Sequence, residues 1–285
     1  VEKIDDNAFY RCFQLERVTV WYVELSQGPE KIGFSAFNGC KSLMNVELPK
    51  GLVTIGARAF KDCNSLPAVV IPPLVKKIPH EAFCNCQSLT TVELPSELED
   101  IDEEAFAHCS SLPAIVIPDL VKVIDVRAFF SCLMLANVDL PCQLKEIRDF
   151  AFFGCQSLTN VELPPTLVTI GDCAFKDCNS LPAIVIPPLV KKIPREAFRN
   201  CQALTTLELP NGLEEIDELA FYECESLQAI VIPSLVKAIP RKAFYSCTSL
   251  TTVEFPQGLN KIEEAAFQNC TSLTNVEFPQ GLEEI

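Results

Sequence analysis

The phenylalanine of an Ala-Phe-x-x-Cys-x-x-Leu unit recurs at Phe9, Phe37, Phe60, Phe83, Phe106, Phe129, Phe152, Phe175, Phe198, Phe221, Phe244 and Phe267. The first step is 28 residues and every later step is 23. No single unit of this length can bury its own apolar face. A fixed period in the twenties therefore predicts a solenoid, in which each rung packs only on its neighbours and the array forms one long core. Residues 1–285 are expected to form one such array, with 1–31 as an irregular first rung that carries an insertion. Both ends open in the middle of a repeat, so the chain reads as a slice of a longer protein. Neither end resembles the polar cap that shields a terminal rung.

The cysteines follow the same period. Twelve of the 15 occupy one position on the repeat, from Cys12, Cys40 and Cys63 through to Cys270. A disulfide framework pairs particular cysteines, whereas this is one per rung. A stack of buried, reduced thiols is expected. Cys84, Cys142 and Cys173 lie off the column and are expected nearer the surface. Two histidines, His80 and His108, and no Cys-x-x-Cys pair give no zinc signature.

Residues 89–109 serve as a type rung. Leu89, Val92 and Leu94 end on an alternation of strand period, and Pro95 stops the ladder because it has no N–H to donate. Leu98 and Ile101 mark a second extended segment. Asp102 is placed to cap a helix, and Ala105, Cys109 and Leu112 are spaced four and three, so Glu103–Cys109 is predicted as one to two helical turns. Sister rungs put Pro79, Pro194 and Pro240 where Asp102 stands. Leu15, Val18 and Val20 can form one strand, but Val23-Glu24-Leu25 matches the later Val46-Glu47-Leu48 register better, and the run Val18-Thr19-Val20-Trp21-Tyr22-Val23 predicts a strand or bulged hairpin.

The pattern Leu-x-x-Val-x-Leu-Pro-x-x-Leu-x-x-Ile-x-x-x-Ala-Phe-x-x-Cys-x-x-Leu resembles the BspA-like, or treponema-type, leucine-rich repeat, over nearly the whole chain in about twelve copies. That resemblance implies an α/β leucine-rich-repeat solenoid, curved, with a parallel sheet on its concave face and short helical or 3-10 turns opposite. It also implies a cell-surface or extracellular setting and protein-binding or adhesive roles, with no catalytic residues to carry over.

A second period of 46 residues lies over the first. Between the two core positions of successive strands stand Glu47, Val70, Glu93, Val116, Asp139, Glu162, Val185, Glu208, Val231, Glu254 and Glu277. Two positions earlier Asn or Thr alternates with Ala, as at Asn45, Ala68, Thr91 and Ala114. Neighbouring strands are about 4.8 Å apart, and carboxylates facing each other at that distance repel. Interposed valines about double the separation, toward the Debye length of about 8 Å. A second column alternates sign instead: Lys76-Lys77, Glu99-Asp100, Lys122, and again Lys191-Lys192, Glu214-Glu215, Lys237. These predict cross-rung ion pairs. The acid alternation fails at Asp139/Glu162 and at Glu254/Glu277. Residues 52–95 and 167–210 differ at only seven positions (57, 58, 69, 80, 84, 88 and 92 of the first copy), offset by 115 residues or five rungs. Duplicating an odd number of rungs places two of one type side by side. Paired carboxylates can bind Ca²⁺ or act as acid and base, but no further ligand oxygens can be named, and a tolerated scar is the expected reading.

No nucleophile constellation and no glycine-rich phosphate loop is present, and no cofactor is expected. Acidic residues number 38 against 23 basic, a net charge of −15. That balance repels phosphate backbones and anionic membranes, so no nucleic acid is expected as partner. No apolar run is long enough to span a bilayer. The expected function is therefore a non-enzymatic protein-binding, adhesion or scaffold surface made of the eleven banded positions from Glu47 to Glu277. A partner with a basic surface suits those acids. The alternative is a structural spacer whose function lies in other segments.

Overall fold

The structure is a computed structural model that describes residues 3–19 and 28–285. The register expected for Val23-Glu24-Leu25 needs correction, since strand Arg17–Thr19 sets Val18 opposite Val46 and Thr19 opposite Glu47, so the extra residues follow this strand instead of preceding it; Val20, Trp21, Tyr22, Val23, Glu24 and Leu25 lie outside the described residues. Each turn of the solenoid carries a three-residue strand, such as Ala114–Val116, and a two-residue strand, such as Val123–Ile124. All pairings between turns are parallel and in register at one repeat, so Ile78 meets Ile101 and Ile101 meets Ile124. The three-residue strands are exposed, buried, exposed in sequence, as at Ala183, Ile184 and Val185. One face of each strand thus seals the core and the other faces solvent.

The predicted α/β class needs correction. Among the described residues there is no α-helix and no 3-10 helix. Glu103–Cys109 shows why. The N–H groups of Ala105, Ala107 and Cys109 bond to carbonyls three residues back, those of Asp102, Glu104 and Phe106, at 3.1–3.2 Å. The alternate N–H groups, of Glu104, Phe106 and His108, leave the rung and bond to the carbonyls of Val126, Ala128 and Phe130 at 3.0, 2.9 and 2.7 Å. A helix directs every N–H along its own axis, and this segment directs every second one along the axis of the solenoid. The alternation requires left-handed residues at a spacing of four, here Glu104 (φ 56°) and His108 (φ 61°). Each such non-glycine residue costs roughly 1 kcal/mol, offset by the inter-rung bond it permits. Asp102 is accordingly not a helix cap. Its carboxylate takes Lys77 of the preceding rung at 2.9 Å.

The core is a set of columns. Phe37 through Phe244 are fully buried, and successive rings stack at 5.3–5.7 Å with nearly parallel planes. Each column thiol points at a carbonyl of the rung before: Cys63 donates to Phe37, Cys109 to Phe83 and Cys201 to Phe175, at 3.2, 3.2 and 3.3 Å. The Phe37 carbonyl already accepts the Cys40 N–H, so the thiol fills its second lone pair inside an apolar stack. Burial pushes the Cys132 and Cys224 thiols up to about 12. All 15 cysteines are free. Of the three off-column thiols expected nearer the surface, only Cys142 is exposed. Cys84 and Cys173 are buried.

Prolines give the stack a coarser grain. The strand Ala68–Val70 pairs with Thr91–Glu93 but not with the preceding Asn45–Glu47, and Lys77–Ile78 does not pair with the preceding Thr54–Ile55. Pro67 and Pro79 stand at those two junctions and have no N–H to offer the rung before. Pro182 and Pro194 interrupt both ladders in the same way before Ala183–Val185 and Lys192–Ile193. Pro240 accompanies a third double break before Ala229–Val231 and Ala238–Ile239. At these seams the turn segments and the core columns still hold the rungs together.

Candidate functional site

The solvent face of the three-residue strands carries the banded columns. Val70 pairs with Glu93, Val116 with Asp139, Val185 with Glu208 and Val231 with Glu254. The four valines are 55–64% exposed, far above what side chains on a closed sheet retain. Glu47, Glu93, Asp139, Glu162, Glu208 and Glu254 are likewise exposed. Shallow grooves run between the bands, one of about 590 Å³ bordered by Glu93, Ala114, Val116 and Asp119, and another of about 390 Å³ bordered by Glu162, Ala183 and Val185. At the duplication seam Asn137 pairs with Asn160 and Val138 with Val161, and the ladder stops there, one residue short of Asp139 and Glu162. Ending the ladder early relieves two like charges of direct opposition. Glu277 is exposed but belongs to no strand, so the last predicted rung is not continued as sheet.

The alternating-sign column forms cross-rung ion pairs at three of its positions, while Lys77 goes to Asp102 instead of Asp100, and Lys122 and Lys237 make no ion pair among the described residues. Lys76 reaches Glu99 at 2.5 Å, Lys191 reaches Glu214 at 3.6 Å and Lys192 reaches Glu215 at 3.3 Å. All six side chains are largely exposed, and each pair contributes less than about 1 kcal/mol.

On the turn side lies a cluster that the sequence pattern did not single out. The Glu81 side chain is only 8% exposed and is bonded by both Arg58 and Lys61 of the preceding rung. Burial alone pushes its carboxyl up, but Lys61 and Arg58 outweigh that and hold it below the ordinary carboxylate range. The near-copy solves the same problem with different residues. Glu196 takes Lys176 at 2.6 Å and Arg199 at 3.2 Å, and Cys173 replaces Arg58. Arginine and cysteine have thus exchanged places, Arg58 and Cys84 becoming Cys173 and Arg199, and the buried carboxylate keeps a lysine and the exchanged arginine. His80 and Arg195, equivalent positions, each approach that carboxylate at 3.5 Å. Those paired differences were the available signal in the sequence. Glu81, Cys84 and Glu104 bring one ligand atom each within 4.8 Å, the spacing of a metal site. Lys61 and Arg58 already occupy Glu81 and their charges oppose a cation. Burial pushes the Cys84 thiol up to about 12, which keeps it from serving as a thiolate ligand.

The BspA type leucine rich repeat region model matches six copies, over residues 2–136, 124–251 and 169–285. The chain belongs to the BspA-type leucine-rich repeat family. A leucine rich cell surface protein of Faecalibacterium prausnitzii is 30% identical, with a TM-score of 0.57 over 98% of this chain and 81% of that one. Leucine-rich repeat proteins from Eubacterium ventriosum (20% identical, TM-score 0.52, 99% of this chain and 78% of that one) and the pneumococcal vaccine antigen PcpA (19%, 0.55, 99% and 78%) share the fold. No curated protein sequence matches the chain. The family is a repeat scaffold, compatible with a protein-binding or adhesion module. No helix among the described residues is long and apolar enough to cross a membrane.

Proposed function

We propose that residues 1–285 act as one non-enzymatic docking unit of about twelve rungs that binds a protein with a basic surface along the banded strand face. The observation that carries this reading is the exposure of the valine bands between rows of carboxylates. Apolar area held in water by a rigid sheet favours association, and the flanking acids select a partner of opposite charge. Comparison of the two near-copies agrees. None of their seven differences falls on an exposed strand position: Ala68, Val70, Thr91 and Glu93 return as Ala183, Val185, Thr206 and Glu208. The contact positions are Glu47, Val70, Glu93, Val116, Asp139, Glu162, Val185, Glu208, Val231, Glu254 and Glu277. A surface or extracellular setting is supported by the description of the Faecalibacterium relative as a cell surface protein.

Surface plasmon resonance against a panel of basic and acidic extracellular proteins tests the reading. Binding restricted to basic proteins and lost on the triple substitution Glu93→Lys, Asp139→Lys, Glu162→Lys is expected. Binding indifferent to the triple substitution returns the chain to the role of a spacer.

A further inference from the structure

A cavity on the turn side, away from the banded sheet, carries a charge opposite to that of the chain. It measures about 630 Å³ and is bordered by Arg11, Lys41, Arg58 and Lys61 against one acid, Asp62. This is an excess of cations in a protein of net charge −15. Asp62 is already engaged, accepting the Asn85 side-chain amide at 2.7 Å. Arg58 and Lys61 share Glu81 behind the cavity. Arg11 and Lys41 have no ion-pair partner among the described residues. They rest on aromatic rings instead, Arg11 5.2 Å from the centre of Tyr10 and Lys41 5.7 Å from that of Phe13.

The local backbone builds the cavity. Gly39 takes the left-handed conformation (φ 77°) at the position where later rungs carry Asp62, Asn85 and His108. A Cβ there would stand 3.1 Å from the Arg11 side chain. The bare backbone is what lets the guanidinium stem lie across the floor. The rungs five places on lack the arrangement: Lys41 and Arg58 correspond 115 residues later to Gln156 and Cys173, and Arg11, across the longer first step, to Ser131. The cationic cavity is therefore local to this one place and is not a consequence of the repeat.

We infer that this cavity binds a tetrahedral oxyanion, a sulfate or phosphate group, between Arg11 and Lys41 with Arg58 and Lys61 at its back. Two cations with no carboxylate partner offer charge-assisted donors from two directions, and a guanidinium fork matches two oxygens of such a group at once. A carboxylate held by the guanidinium fork has both oxygens engaged, whereas a tetrahedral oxyanion keeps further oxygens for Lys41. The site is independent of the strand-face reading, since it shares no residue with it.

The test is a titration of ¹⁵N-labelled protein with sodium sulfate, sodium phosphate, methyl phosphate and sodium acetate, ionic strength held constant with sodium chloride. Sulfate and phosphate are expected to shift backbone amides around residues 10–13, 38–41 and 58–64, with acetate far weaker. Tighter methyl phosphate than inorganic phosphate assigns an ester as the ligand, and the reverse order assigns the free ion. The variant Arg11→Asn/Lys41→Gln is expected to weaken binding about tenfold or more, while the distant pair Lys122→Gln/Lys145→Gln leaves it unchanged. Arg58 and Lys61 are left intact in these variants, because their loss strands the buried Glu81. Shifts spread over all lysines and arginines, equal response to acetate, or binding that survives Arg11→Asn/Lys41→Gln each overturn the assignment.

Discussion

The exchange of Arg58 and Cys84 for Cys173 and Arg199 shows what a buried carboxylate demands of its surroundings. Glu81 needs two cations, and the fold accepts the arginine from either of two rungs. Arg58→Cys alone is expected to destabilise the chain by about 1–3 kcal/mol, because it leaves a buried charge half answered. Adding Cys84→Arg is expected to recover most of that loss, and a double-mutant cycle by urea unfolding reads the coupling directly. Acid gives a second check. Lys61 and Arg58 hold the Glu81 carboxyl below its ordinary pKa, so its folded value lies under the unfolded value of about 4.3. The ion pair's contribution is then full above that pH and is lost as pH falls through the depressed folded value. Unfolding midpoints between pH 7 and pH 2 are expected to fall less steeply in Lys61→Met than in the parent, from a lower neutral plateau. The thiols offer a third measurement. Ellman's reagent is expected to react in the native state at Cys12 and Cys142, the two exposed thiols, and to reach the buried column thiols from Cys40 to Cys247 only on unfolding.

At the scale of the element, the columns could be read from the sequence because burial makes the same demand of every rung. Phe, Cys and Ile recur because each must match its own copy above and below. The turn at Glu103–Cys109 was not readable in the same way. Its apolar spacing of four and three suits a helix and equally suits a segment with left-handed residues at Glu104 and His108. What separates the two is where the backbone N–H groups go, and side chains do not encode a bond from Phe106 to the carbonyl of Ala128. Cys84 and Cys173 escaped for a related reason. Whether an off-column residue is covered depends on the rungs beside it, whereas a pattern within one repeat describes one. The bands from Val70 to Glu254 were readable because period two fixes which strand residues face out. What the bands bind was not, because a solvent face is under no packing constraint, and the protein-binding role stays the proposal made above.

For the whole molecule, the 46-residue alternation predicts which deletions the array tolerates. Removing residues 67–112 joins Leu66 to Pro113 and keeps an acid rung beside a valine rung. Removing only 67–89 joins Leu66 to Thr90 and brings Glu47 beside Glu93. The shorter deletion is expected to melt several degrees lower at low salt, with the gap closing in 0.5 M sodium chloride as the carboxylates are screened. Thermal melts of both variants at two salt concentrations decide it. The proline seams have a mechanical consequence. Pulled along its axis, the array is a rod scored at three places, where both strand ladders are broken and only the turn segments and the core carry the load. Rupture starts at the scores, so extension comes in blocks set by proline placement. The segment from Pro182 to Leu227, 46 residues, pays out roughly 160 Å of chain when it lets go.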